Sequence, residues 1–468
     1  MERIFYLVVL VVLFSLSSTV YAQPTGLIYA NGATSGGTFN TFLGSPTGEY
    51  KITDPLNAVN QNSLADYTRL FARNDAAATA TAFLQMTFPT SVPANSTIFV
   101  KTTLSAMSLL LAGGGVTISY VNGSNNTVAV SASDYKTYYT GDGNIYFSIK
   151  PAAVLQSLKI TVTSNAVLGG TVTMDIFYAF YGSDANNESY PFSYNLSDCG
   201  SPNYTTFSTS GLSVGSFGVS NPGAAIDENE TTTMSSFYAT GLTLLTGKIS
   251  QSFYFNGVSN SADAVRIVFS KSASLVAVDL AKSITITAYK GGNKVGESQS
   301  LFALLDLDLL GLLGQSNTPL VTAYMAPRTN SNISVTFDRV VVELDIGLLG
   351  VGLGSNGLNI LDIRRVPDVP SVTSATACTN IGKIGVLAST VQQSLTTFTY
   401  KWYSVLRGGD VLTALVGDNP LIIGLTTVGQ SNYYVDIIKS GCSVPSGRAK
   451  VTVNTVNPPV APPVALVP

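Results

Sequence analysis

"DPLNAVNQN" at 54–62 and "NPGAAIDEN" at 221–229 align Pro55 with Pro222, Ala58 with Ala225, Asn60 with Asp227 and Asn62 with Asn229. The same order of segments returns after each: "FLQMTF" answers "ISQSFYF", "STIFVKTTLS" answers "DAVRIVFSKS", "VTISYVNG" answers "ITITAYKGG", "LKITVTS" answers "ISVTFDR", and "TVTMDIFYAFYG" answers "LNILDIRRVP". A repeated order of elements is the signature of duplication. It predicts two related domains, at 24–182 and 207–366, joined by the Ser/Asn/Gly/Pro-rich linker 183–206. Within each, short runs rich in Val, Ile, Thr and Tyr alternate apolar with polar residues and end in turns such as Asn122-Gly123, Asp142-Gly143 and Gly291-Gly292. That is the period of strands. Over ~150 residues per copy it predicts an all-β fold, two jelly-roll-like β-sandwich domains in tandem.

The remainder of the chain adds a third unit. Between 367 and 456 the spacing of Cys378, Trp402, Tyr433-Tyr434 and Cys442, closing on "RAKVTV", has the cadence of a C-terminal immunoglobulin-like sandwich. Residues 457–468 are a Pro-rich tail, expected to be extended.

Composition narrows the function. With 45% hydrophobic and 11% charged residues among 468, the chain can bury several cores. Lys and Arg number 24 against 27 Asp and Glu, with no basic cluster, which speaks against a nucleic-acid partner. Arg3, an apolar run to about Leu16 and Val20-Tyr21-Ala22 form the pattern of a cleaved signal peptide, residues 1–22. The expectation is an exported protein, extracellular or at a bacterial cell surface, whose mature chain does not span the membrane. The leucine-rich "LFALLDLDLLGLLGQ" at 301–315 is interrupted by Asp306 and Asp308 and so reads as chain within a domain. An oxidising compartment favours a Cys378–Cys442 disulfide, worth about 4 kcal/mol in the chain-entropy model. Cys199 is then left as a free thiol, an intermolecular link or a partner in another connectivity.

No histidine is present, which removes Ser-His-Asp and Cys-His nucleophile systems and imidazole ligands of zinc. The acidic pairs Glu228/Glu230, Asp306/Asp308 and Glu343/Asp345 are only two apart in sequence, and nothing joins nucleophile, base and orienter. The expectation is no catalytic residue and no enzyme.

Two binding candidates remain. In the loop at 221–233, Asp227, Asn229 and Glu230 alternate oxygen donors as a Ca²⁺ loop would. Against that stands ordinary turn capping by Asx side chains, favoured because the other copy keeps Asn60 and Asn62 at the matching positions without the acids. In "DYKTYYTGDGNIYF" at 134–147, Tyr135, Tyr138, Tyr139 and Tyr146 could stack sugar rings on an exposed sheet face, or pair across a hairpin.

The C-terminal segment resembles the immunoglobulin-like domains of secreted and surface proteins of the Bacteroidota, through its Val-Pro entry, early Cys378, Trp402-Tyr403 followed by Gly408-Gly409, Tyr433-Tyr434-Val435 and late Cys442. The duplicated region resembles the domains that often precede such modules, through "FALLDLDLLGLLG" and the strand Phe337 to Leu344. The loop with Ala225, Asp227, Asn229 and Thr232 is similar to that of discoidin-type sandwiches. These resemblances imply a modular adhesion or interaction protein whose partner is an extracellular protein or a glycan, with a carbohydrate-binding, lectin-like protein as the alternative.

Overall fold

The computed structural model describes residues 26–459, apart from 43–44, 76–77, 104–113, 125, 132–133, 166–168, 183–199, 272–276, 306–319, 349–353 and 391–397. The expected signal peptide, most of the linker, Cys199, Asp306 and Asp308, and all but the first residues of the Pro-rich tail lie outside the described residues. No helix among them is long and apolar enough to cross a membrane. The chain is nearly all β and divides into two compact units, residues 1–136 with 146–194, and residues 137–145 with 195–468.

In the first unit, an antiparallel sheet orders Thr127–Ala129, Gly114–Asn122, Leu155–Ser164, Ala80–Val92 and Gly32–Phe39. A second sheet pairs Gly48–Thr53 with Thr68–Asn74, then Gly170–Gly182, then Ile98–Thr102. Strand alternation explains the sandwich. In Thr68–Asn74, Leu70 and Ala72 are buried while Arg69 and Arg73 are exposed. The buried set meets Leu84, Met86, Ile160 and Val162 of the other sheet in one core. Period-two burial of this kind is what the sequence pattern dictates.

In the second unit, the long strand Ser235–Phe255 pairs with different strands at its two ends. Its first residues pair with Gly354–Pro367, which pairs on with Asp263–Lys271 and then Val321–Met325. Its last residues pair with Arg339–Asp345, then Ile284–Lys290 and Asn293–Ser300. Phe253, Phe255, Phe269 and Phe337 are buried where the two layers meet. Each such aromatic contributes roughly 1.5–3 kcal/mol by leaving water. The leucine-rich stretch begins as the short helix Leu301–Leu304, capped by Ser300 Oγ, which accepts from Ala303 N at 3.2 Å. Leu301 and Leu305 are buried, so this part is core as expected.

The same unit carries a C-terminal sandwich. One layer orders Ala375–Cys378, Ala449–Val456, Gly429–Lys439 and Phe398–Tyr403; the other pairs Gly382–Gly385 with Leu421–Leu425 and Ser371–Thr373 with Leu387–Ser389. Trp402 is fully buried at its centre, and its indole N–H donates to the Gly417 carbonyl at 2.9 Å.

The expected Cys378–Cys442 bridge is not formed: Cys378 is a free, half-buried thiol. The register explains why. Cys378 pairs with Val456, at the end of the sheet where Gly429 faces Thr455, whereas Cys442 follows Lys439 at the other end of Gly429–Lys439. An eleven-residue strand separates the ends, roughly 30 Å at the rise per residue of a strand, far beyond disulfide reach. Cys442 is itself disulfide-bonded.

Candidate functional site

The loop at 221–233 is built by its own turn chemistry. Asn221 takes a left-handed conformation (φ 48°), Pro222–Ala225 forms a 3₁₀ turn, and Ala225 is fully buried. Asp227 Oδ1 then accepts from Asn229 N at 2.9 Å, and Asn229 Oδ1 accepts from the amides of Thr231 at 3.1 Å and Thr232 at 3.0 Å. These are Asx turns. The first unit repeats the device: Asn57–Val59 is a 3₁₀ turn around fully buried Ala58, and Asn60 Oδ1 accepts from Asn62 N at 3.1 Å.

Glu230 turns instead onto a strand face. Arg266 and Arg364 are opposite each other in the register of Asp263–Lys271 with Gly354–Pro367. Two like charges so placed repel unless neutralised. Glu230 accepts from Arg266 Nη2 at 2.7 Å and Nη1 at 3.1 Å and lies 3.6 Å from Arg364; Asp362 accepts from Arg266 Nη1 and Arg364 Nε, each at 2.9 Å. Arg364 Nη2 also donates to the Glu228 carbonyl at 3.3 Å. Burial holds the Asp362 carboxyl above the usual carboxylate range, against the opposing pull of Arg364 and then Arg266. Burial lowers the Arg266 guanidinium, but the hydrogen bonds and charge of Glu230 more than offset it and leave it above the usual arginine range.

This network reaches the C-terminal sandwich. Ala264, Val366 and Val444 form a small buried cluster with Tyr324 and Ala326 beside it. Arg328 pairs with Asp368, whose amide donates to the Ala262 carbonyl at 2.8 Å. An open cleft of about 550 Å³ is lined by residues 227–231, Arg364 and Ser443. The three residues expected to hold Ca²⁺ are thus brought together, but Asp227 and Asn229 accept from backbone amides and Glu230 faces arginine. Among the described residues no group of three or more Asp, Glu, Cys or His is placed to hold a metal.

The tyrosines at 134–147 do not form an exposed face. Tyr138 and Tyr146 are 1% exposed and Tyr139 is 6% exposed. Tyr138 packs on Tyr204 at 5.2 Å and Tyr139 on Phe207 at 5.8 Å in the second unit; Tyr146 packs on Tyr178 at 6.4 Å in the first. The Tyr135 hydroxyl donates to the Val130 carbonyl at 3.0 Å and accepts from Ile118 N at 3.1 Å, and burial pushes its pKa up. The reason is steric: the hairpin's Gly141 lies so close to Ile226 that a Cβ would sit 2.2 Å from its carbonyl oxygen, and a Cβ on Gly223 would sit 2.5 Å from that of Thr140. The hairpin is clamped to the 3₁₀ turn, and Tyr138 and Tyr139 become core.

Residues 367–458 match the model of the Ig-like domain, CHU_C associated. The C-terminal sandwich is this Ig-like domain, with Trp402 as its core. No match is found among curated proteins. Solved structures with some similarity include a β-1,2-glucanase from Parabacteroides distasonis (11% identity, 55% of this chain and 37% of that one, TM-score 0.23). Others are the CBM22-1–CBM22-2 tandem domain of Paenibacillus barcinonensis Xyn10C (11%, 74% and 100%, 0.17) and the adhesin domain of Epf from Streptococcus pyogenes (10%, 49% and 78%, 0.18). The chain spans about a third of the glucanase's length. Similarity at this level transfers no function.

Arg266 and Arg364 escaped the sequence reading. Their signal was present in "DAVRIVFSK" and "LDIRRVP", where charges interrupt apolar strands. Only the register of the strands shows that they face Glu230.

Proposed function

We propose that the chain is an exported, non-enzymatic modular protein of adhesion or interaction at a bacterial surface, with an extracellular protein or glycan as its partner. The observation that carries this reading is the Ig-like domain at 367–458, seated on the preceding sandwich through Ala264, Val366 and Val444. A sandwich that delivers its charged residues to internal pairing, as Arg266, Asp362 and Arg364 do, is built as a stable carrier of surfaces. The alternation of two similarly built loops at 54–62 and 221–229 supports tandem duplicated modules ahead of the Ig-like one. In this reading the 227–230 loop works without a cation.

The test is retention of the chain from Gln23 on host cells, matrix proteins and glycans displayed on a surface. Saturable retention without turnover of the captured molecule is expected. Chemical turnover of a captured glycan or peptide would contradict the non-enzymatic reading, and the absence of retention on any surface would contradict the reading as a whole.

A further inference from the structure

In the first unit, the residue that aligns with Arg364 packs against a tyrosine ring, where Arg364 itself meets Glu230. Tyr67 follows the Asn60–Asn62 turn, is 38% exposed, and its backbone carbonyl accepts from Asn57 Nδ2 at 3.3 Å. Its ring lies 5.5 Å from that of Phe177, which aligns with Arg364 through "MDIF" and "LDIR". Cations flank both rings: the Arg69 guanidinium is 5.2 Å from the centre of Tyr67 and Lys101 Nζ is 4.8 Å from that of Phe177. Arg69 is fixed by a fork onto Asp175, at 2.6 and 2.8 Å.

The face around this pair has a definite chemistry. By register, Lys51, Arg69, Arg73 and Lys101 share it with the acids Glu49 and Asp175. Within the strands themselves four cations stand against two acids, on a chain whose net charge is −3, and Asp54, Asp66 and Asp75 stand at the rim. Thr53, Thr171 and Thr173 add exposed hydroxyls. Along these strands the outward positions hold rings, hydroxyls and charges, but no large aliphatic side chain. A protein-binding patch concentrates apolar area at its centre. Rings with flanking hydroxyls and cations suit a polyhydroxylated ligand carrying negative charge.

We propose that this outward face, formed by Gly48–Thr53, Thr68–Asn74, Gly170–Gly182 and Ile98–Thr102, binds an anionic saccharide, with sugar rings against Tyr67 and Phe177 and carboxylates facing Arg69 and Lys101. The proposal rests on the interaction reading above and names its ligand class and site. An acidic peptide would meet the same cations but leave the hydroxyls and rings without counterparts.

The experiment is calorimetric titration of the chain from Gln23 with oligogalacturonate, its methyl ester and poly-glutamate, using wild type, Tyr67→Ala and Lys101→Gln, each variant checked by its melt. Binding of oligogalacturonate that weakens about tenfold or more in Tyr67→Ala, falls in Lys101→Gln and weakens with salt is expected. Lys101→Gln changes charge on an outward position and keeps the site testable should Tyr67→Ala fold poorly. Equal binding of the methyl ester would overturn the anionic class. Equal binding of poly-glutamate would overturn the saccharide, and binding indifferent to both substitutions would overturn the site. No saccharide binding by a chain that is still retained on cells or matrix would sink this inference and leave the interaction reading standing. No retention anywhere would sink both.

Discussion

Two loops with the same construction lead to surfaces of contrasting chemistry. At 54–67 and at 221–233, a 3₁₀ turn buries one alanine, an Asx turn follows, and the chain returns to a strand. In the second unit the next side chain outward is Glu230, engaged by Arg266 and Arg364 beneath the Ig-like domain's Ser443. In the first the loop ends on Tyr67, beside Phe177, Arg69 and Lys101, and partly open to solvent. The scaffold residues are the ones the two loops share, and the residues that differ set what each face can meet.

The largest effect should come from cutting the second unit's network. Arg266→Ala leaves Asp362 buried without one of its two arginines, and a broken buried pair costs about 3–5 kcal/mol. Arg69→Ala, whose guanidinium is exposed although it also grips an aspartate, should move the melt far less. Equal losses in the two variants, read from denaturant unfolding, would erase the distinction between a sealed face and an open one.

Next comes the turn itself. Gly223→Ala places a methyl group against the Thr140 carbonyl and should cost about 1–3 kcal/mol. The matching residue in the first loop, Leu56, is 66% exposed, and Leu56→Ala should stay within about 0.5 kcal/mol. If Gly223→Ala were as mild, the hairpin at 137–145 would not be clamped to this turn.

Smaller still, Asp227→Ala and Asn60→Ala should each cost about 1 kcal/mol, one lost side-chain-to-backbone bond apiece. Added Ca²⁺ should leave the melt of the wild-type chain unchanged. A Ca²⁺-dependent rise in Tm that Asp227→Ala abolishes would make the second loop a metal site after all.

The smallest effect concerns pH. Because burial raises the folded-state pKa of Asp362, the folded chain holds that proton more tightly than the unfolded chain. Its contribution to stability therefore grows as pH falls through the folded value towards about 3.9, the unfolded one. The difference in Tm between wild type and Asp362→Asn should increase from pH 8 down to about 4.5. A difference that shrinks on acidification would contradict the assignment.

Much of this was legible from local pattern. Strand alternation gave the sandwich layers, and the alignment of Ala58 with Ala225 and of Asn60 with Asp227 correctly marked two similar turns. The capping reading of Asp227 came from the same alignment. One expectation, and one of two readings left open, failed on tertiary placement. Cys378 and Cys442 are suggestively spaced in the chain but sit at opposite ends of one sheet. Tyr138 and Tyr139 look like part of a surface cluster until Gly141 is found pressed against Ile226. Tyr67 drew no attention because a lone tyrosine before a strand has no local signal, and its partner Phe177 is brought to it only by the pairing of Thr68–Asn74 with Gly170–Gly182.

The contrast between the two faces is tested most directly by hydroxyl-radical footprinting with and without oligogalacturonate. The account predicts that Tyr67 and the peptide 54–71 are oxidised in the free chain and protected by the saccharide, while the peptide 221–234 reacts equally in both. Protection of 221–234 with no change at Tyr67 would place the binding face in the second unit and contradict the account.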